Sequence, residues 1–157
     1  MKVKILTEGY YTIANWDTSF HLTPHFTLGE LANNSGDSNQ PQYIFSKYSA
    51  RFNEALEYFR VIKYKKPISV NSCYRQPDYN KAIGGDSRSA HLMACAMDFN
   101  ENGKTQGENL AKMWRETCEK FGLIGAINIY DKYIHIEAFS DVCYGNKGFV
   151  IRDKRSK

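Results

Sequence analysis

Four histidines stand in this sequence, at positions 21, 25, 91 and 135. Their neighbours decide which of them can do chemistry. His91 lies in Ser89-Ala90-His91-Leu92-Met93-Ala94-Cys95-Ala96-Met97-Asp98, seven residues before a carboxylate. On one straight helix that separation is about 10 Å along the axis. Ligands of a single zinc ion all lie about 2 Å from it, so a continuous helix cannot serve. A loop carrying His91 that turns into a strand carrying Asp98 can close the gap. His135, from a neighbouring strand, completes a set of two imidazoles and one carboxylate. Such a set leaves a fourth position open for water, the arrangement of a catalytic rather than a structural metal. These residues alone leave a second reading open, because a buried histidine hydrogen-bonded to an aspartate presents the same pair. His21 and His25 have Pro24 between them and no carboxylate at ligand spacing, so both are read as loop residues outside any metal site.

The elements that must position these groups follow from pattern. Residues 1–25 read as an irregular or extended arm. Thr27-Leu28-Gly29-Glu30 fits a capping box opening a short helix through about Ala32. Phe45 to Ile62 is a helix, with Phe52, Ala55, Leu56, Phe59 and Ile62 on one face. Pro67 precedes a strand over Ile68 to Ser72. Residues 73–90, with Pro77 and Gly84-Gly85, read as loops with one helical turn, and Ala94 to Phe99 as a strand running into the centre. Thr105-Gln106-Gly107-Glu108 is a second capping box. It opens a helix whose apolar face is Leu110, Trp114, Cys118 and Phe121, stopped by Gly122. Gly125–Tyr130 and Tyr133–Phe139 form two strands joined at Asp131-Lys132. On the second, Ile134, Ile136 and Ala138 face the core, while Tyr133, His135 and Glu137 face the other way. The pattern is α+β, with strands concentrated toward the C-terminal half.

Composition sets the bounds. The chain has 157 residues, of which 42% are apolar and 14% aromatic, enough for one domain with a real core. The domain is read as residues 1–157, with its core at about 20–140 and a basic tail at 152–157. Net charge is +4, with no basic run long enough for a nucleic-acid footprint. No stretch approaches the roughly 18–20 apolar residues of a membrane span, and the first residues carry no signal-peptide pattern. A monomer without nucleic-acid or membrane partners is expected. Cys73, Cys95, Cys118 and Cys143 are widely spaced, without a CxxC pair, and read as free buried thiols. Lys147, Arg152, Lys154, Arg155 and Lys157 read as a solvated tail outside the catalytic groups.

An ordered set of motifs adds to this reading. Ser72-Cys73-Tyr74-Arg75-Gln76-Pro77, Asn80, Ile83-Gly84-Gly85, Ser89-Ala90-His91 and Ala96-Met97-Asp98 follow one another. Upstream lies Phe26-Thr27-Leu28-Gly29-Glu30-Leu31, and downstream Tyr130-Asp131-Lys132-Tyr133-Ile134-His135-Ile136-Glu137. Together they resemble the M15 family of zinc peptidases, which includes D-Ala-D-Ala carboxypeptidases, murein endopeptidases and phage endolysins. Three positions depart from that family's pattern. Ala94 stands where glycine is usual, which is tolerable if the backbone there is β. Cys73 replaces the glycine of S-G-Y-R. Lys132 stands three residues before the last ligand, where the E-x-x-H branch carries its base, so the chain fits the H-x-D branch, with Glu137 in the aspartate position.

The resemblance implies Zn²⁺ held by His91, Asp98 and His135, in a groove on a small antiparallel sheet flanked by helices, as in hedgehog and DD-peptidase domains. It implies hydrolysis of peptide bonds in peptidoglycan stem or cross-bridge peptides, by a chain made in the cytoplasm and acting at a cell wall. A zinc-stabilised, non-catalytic wall-binding module of the same fold is the alternative. Glu137 can take the proton of the reacting water or hold a ligand histidine, and Asp131 in the turn is the weaker candidate base. Arg75 matches the family's substrate-binding arginine. Ser89 either bonds substrate or shapes its loop, and Tyr133 either lines the cleft or packs. Gly84-Gly85 supplies positive φ to bring the loop over the metal.

Overall fold

The computed structural model describes residues 2–7, 10–14, 17–36, 42–139 and 148–157, the first two segments as backbone strands. Strands β1 (Lys2–Thr7) and β2 (Tyr10–Ala14) pair antiparallel, and β2 pairs in turn with β5 (Tyr43–Phe45). Within the arm read as irregular or extended, residues 2–14 thus carry two strands. A short hairpin of β3 (His21–Thr23) and β4 (Phe26–Thr27) leads into α1 (Leu28–Leu31). Its capping box is formed as the sequence predicts, Thr27 Oγ1 accepting from Glu30 N and the Glu30 carboxylate accepting from Thr27 N.

Helix α2 (Lys47–Tyr58) begins later than periodicity predicts, because Tyr43–Phe45 pair with β2 and Ser46 caps the helix at Tyr48 N and Ser49 N. It continues as a π-helical turn over Phe59–Tyr64 and stops at Lys65, in the left-handed region. The wider turn brings Phe59 and Tyr64, five apart, into a stack at 5.8 Å, and both rings meet Phe99 edge-on.

The sheet that matters for function has five strands in the order β10-β8-β9-β7-β6. These are β6 (Val70–Ser72), β7 (Ala96–Asn100), β8 (Ile124–Ile129), β9 (Tyr133–Phe139) and β10 (Val150–Asp153). Its inner pairs are antiparallel and β10 runs parallel to β8. The α+β class holds, but the sheet is mixed rather than purely antiparallel. Arg152, read as part of a solvated tail, is instead a strand residue.

The back of this sheet presents Met97, Phe99, Ile127, Ile134 and Ile136, all fully buried. Helix α4 (Gly103–Phe121) covers them with Leu110, Trp114 and Cys118. It starts two residues before the predicted capping box: Asn102 is the N-cap and its Oδ1 accepts from Thr105 N, so Thr105 lies inside the first turn. Glycine at 103 is required by proximity, since a Cβ there would lie 1.7 Å from Tyr130 O. Gly122 ends the helix at φ +63. Trp114 Nε1 donates to Glu137 O at 3.0 Å, tying the helix to β9 from behind. Cys73 and Cys118 are free and buried, Cys95 is buried, and Cys143 lies outside the described residues. No helix among the described residues is long and apolar enough to cross a membrane.

Candidate metal centre

The front of the sheet is polar, and register decides what meets there. Ser72, Asp98, His135, Asn128 and Arg152 are successive cross-strand partners, forming one row across all five strands. Partners directly opposite keep their Cβ atoms about 4.5–5.5 Å apart on one face, so Asp98 and His135 meet without help from loops. Their contact is Asp98 Oδ1 to His135 Nδ1 at 2.7 Å.

His91 reaches this row from above. It sits on a short 3₁₀ turn over Ala90–Met93 that precedes β7. Ser89 caps that turn, its Oγ accepting from His91 N at 3.2 Å. The turn ends at Ala94 with φ +54 and ψ 39, so the condition that the backbone be β where the family carries glycine is not met. Alanine there holds a left-handed conformation that costs about 1–3 kcal/mol. The result is a reversal that delivers Asp98 beneath His91, as the loop-to-strand argument requires.

The His91 ring is held by one hydrogen bond, Nδ1 donating to Cys73 O at 2.6 Å. That bond places the proton on Nδ1 and leaves the Nε2 lone pair aimed at the cluster. Nε2 is buried, makes no hydrogen bond, and lies 3.4 Å from Asp98 Oδ2. The ligand atoms of His91, Asp98 and His135 all lie within 4.8 Å of one another. Two imidazoles and a carboxylate, one nitrogen buried with no partner, fit a divalent metal such as zinc. Among the described residues no other group of three or more His, Cys, Asp or Glu side chains gathers in this way.

Electrostatics follow from the packing. Burial pushes the His91 pKa down, against the pull of Asp98. Burial pulls His135 down too, but the Asp98 and Glu137 carboxylates outweigh it and hold its pKa up at about 9. Burial would raise Asp98, but the hydrogen bond from His135 and the charges of His135 and His91 outweigh it and hold the carboxyl well below the usual range. Burial would raise Glu137, yet His135 and Arg152 hold it down at about 2.

The remaining predicted residues divide. Arg75 stands beside the trio, Nη2 at 3.5 Å from Asp98 Oδ2, and Nη1 donates to Asn80 Oδ1 at 3.2 Å. Asn80, a buried residue of the loop helix α3 (Pro77–Ala82), also donates from Nδ2 to Asp86 O. It fills the space in which a Cβ on Gly85 would sit, 2.1 Å from its Oδ1, while Gly84 takes φ +75. Positive φ is therefore the reason for Gly84, and close approach the reason for Gly85. Tyr133 shares a face with His135 and stacks on Tyr130 at 4.2 Å. Glu137 points to the same face, its Oε1 3.7 Å from His135 Nε2 and 2.8 Å from Arg152 Nη1. Asp131 is not brought to the cluster: half-buried in the turn, it accepts from Ser156 N at 2.9 Å and from Ser156 Oγ at 2.8 Å. His25 is bonded to Glu57 at 2.7 Å. Sequence reasoning missed Arg152 and Asn128. Alternation along β8 carried a signal for Asn128, which shares parity with Ala126 and opposes the buried Ile127 and Ile129.

A search of curated proteins finds no match. The family model for Peptidase M15 matches residues 24–137, well over half of the chain, and spans the whole of the His–Asp–His cluster. The chain belongs to the peptidase M15 family.

Proposed function

We propose that this chain is a zinc metallopeptidase that hydrolyses peptide bonds of peptidoglycan stem or cross-bridge peptides. The observation that carries the reading is the unpartnered, buried His91 Nε2 facing Asp98 and His135 in a chain of a peptidase family. Zinc held by His91 Nε2, Asp98 and His135 Nδ1 would polarise a scissile carbonyl and bring the pKa of a water toward about 7. Arg75, beside Asp98, offers a planar guanidinium to a substrate carboxylate or carbonyl. The stacked Tyr130 and Tyr133 give the same face a flat apolar wall for a peptide. Ser89, engaged with His91 N, serves its loop rather than substrate. A net charge of +4 suits an anionic wall polymer.

Glu137 has two available jobs, taking a proton or holding His135, and its placement favours the second. Its Oε1 sits nearest Nε2, the ring nitrogen turned away from Asp98, and is shared with Arg152. The same observation gives weight to the alternative, a zinc-stabilised wall-binding module without catalysis. Elemental analysis and cleavage of a soluble stem peptide separate them. The enzyme binds one zinc per chain and cleaves, losing activity to a chelator and regaining it with zinc. Zinc-loaded protein that binds wall fragments and cleaves nothing establishes the module instead.

A further inference from the structure

We propose that Arg152, carried on β10, is a positioning residue for the metal centre: it holds the Glu137 carboxylate beside His135 Nε2 and thereby fixes which ring nitrogen His135 turns toward the metal. The inference rests on the zinc reading above and adds a residue that lies outside the segment matched by the family model.

Glu137 is nearly buried, and its cross-strand neighbours on the front face are Ala96 and Ala126, neither of which offers a polar side chain. A buried charge needs partners. Among the described residues, Glu137 takes its partners from His135 and Arg152. Arg152 comes from two strands away. Its guanidinium reaches over β8, where Nη1 donates to Asn128 Oδ1 at 3.0 Å, and on to Glu137 Oε1 at 2.8 Å. One nitrogen thus bridges an amide and a carboxylate through its two N–H donors. The tethered oxygen lies 3.7 Å from His135 Nε2, an ion-pair distance, so its charge favours a proton on that nitrogen, and Nδ1, which donates to Asp98 Oδ1 at 2.7 Å in the metal-free chain, is the nitrogen left to exchange its proton for the metal. Without the tether, a carboxylate two residues along the same strand face is free to turn to the metal side or to solvent. The imidazole then loses the partner that fixes its tautomer. Arg75 and Arg152 consequently bracket the cluster, one beside Asp98 and the other beside Glu137.

The test compares full-length wild type, Arg152→Gln, Arg152→Lys and Lys154→Gln, the last altering an exposed charge on the same segment. Zinc dissociation constants come from chelator competition, and the His135 Nε2–H signal from ¹⁵N NMR of the zinc-loaded protein. Melting of each metal-free variant shows that the fold is kept. Arg152→Gln is expected to weaken zinc binding about 10-fold, the low end for partners of a ligand because Arg152 acts one residue further out. It should also lose the slowly exchanging Nε2–H signal, with turnover restored at saturating zinc. Arg152→Lys should recover part of the affinity and Lys154→Gln all of it. If Arg152→Gln fails to fold, Arg152→Lys decides alone, through a several-fold weaker affinity and a broadened Nε2–H signal. Wild-type affinity to within about twofold, with the Nε2–H signal intact, in the folded Arg152 variants overturns the inference. Wild type that takes up no zinc overturns the metallopeptidase reading instead, and this inference with it.

Discussion

Replacing Glu137 by glutamine separates its two jobs. The change is isosteric, keeps one oxygen to accept from Arg152, and removes the charge that lies 3.7 Å from His135 Nε2. Damage to the fold should be small: Arg152 is 39% exposed, so solvent screens the Arg152–Glu137 pair and its loss costs the metal-free protein about 1 kcal/mol or less. The effect on the metal is larger. A carboxylate that orients a ligand histidine contributes about 10–100-fold in metal affinity, or about 1.4–2.8 kcal/mol. The account therefore predicts zinc binding weakened by that factor, and turnover on a stem peptide that is low at limiting zinc and returns toward wild type at saturation. The assay is a zinc titration followed by both chelator competition and peptide cleavage. A turnover lower by about 10²–10⁴ at saturating zinc, with the dissociation constant unchanged, would refute the reasoning and make Glu137 the general base. Near-normal activity without added zinc would reject both jobs.

Three further outcomes follow from the same geometry. Because Asp98 and Glu137 hold the His135 pKa up at about 9, the metal-free protein carries a proton there at pH 7. Zinc must displace it, so binding should release about one proton and tighten about tenfold per pH unit from about 7 to about 9, then level off. Calorimetry in buffers of different ionisation enthalpy checks this, and binding without proton release at pH 7 contradicts it. Gly103→Ala should cost more than the roughly 1–3 kcal/mol of ordinary overpacking, because the new Cβ meets the Tyr130 backbone oxygen. Gly122→Ala, with open space but φ +63, should cost about 1–2 kcal/mol, and denaturant unfolding of both glycine variants checks these values.

How much of this could be read in the sequence depends on the range of the interaction responsible. Thr27 to Glu30, the stop at Gly122 and the alternation of Tyr133 to Phe139 act within a few residues, and each has a pattern that names it. The convergence of His91, Asp98 and His135 needed more, because metal geometry ruled out a helix but could not supply the register that sets Asp98 opposite His135. Helix α4 starts before the box that Thr105 and Glu108 predict, because Asn102 and Thr105 present overlapping cap signals and the burial of Gly103 against Tyr130 decides between them. The π-turn at Phe59–Tyr64 follows from aromatic packing against Phe99, which periodicity does not see. Strand β10 was invisible for a related reason. It is four residues long, basic at Arg152, and joins the sheet only by parallel pairing with β8, more than twenty residues away in sequence. For the same reason the sequence alone places Arg152 in a solvated tail.

The central claim is tested most directly by counting zinc in the purified chain and in its His91→Ala and His135→Ala variants. Elemental analysis should find one zinc per wild-type chain, lost in both variants together with stem-peptide cleavage, since each change removes one of three ligands. Full zinc retention in both variants, or a wild type that cleaves the peptide with no metal bound, would contradict the account.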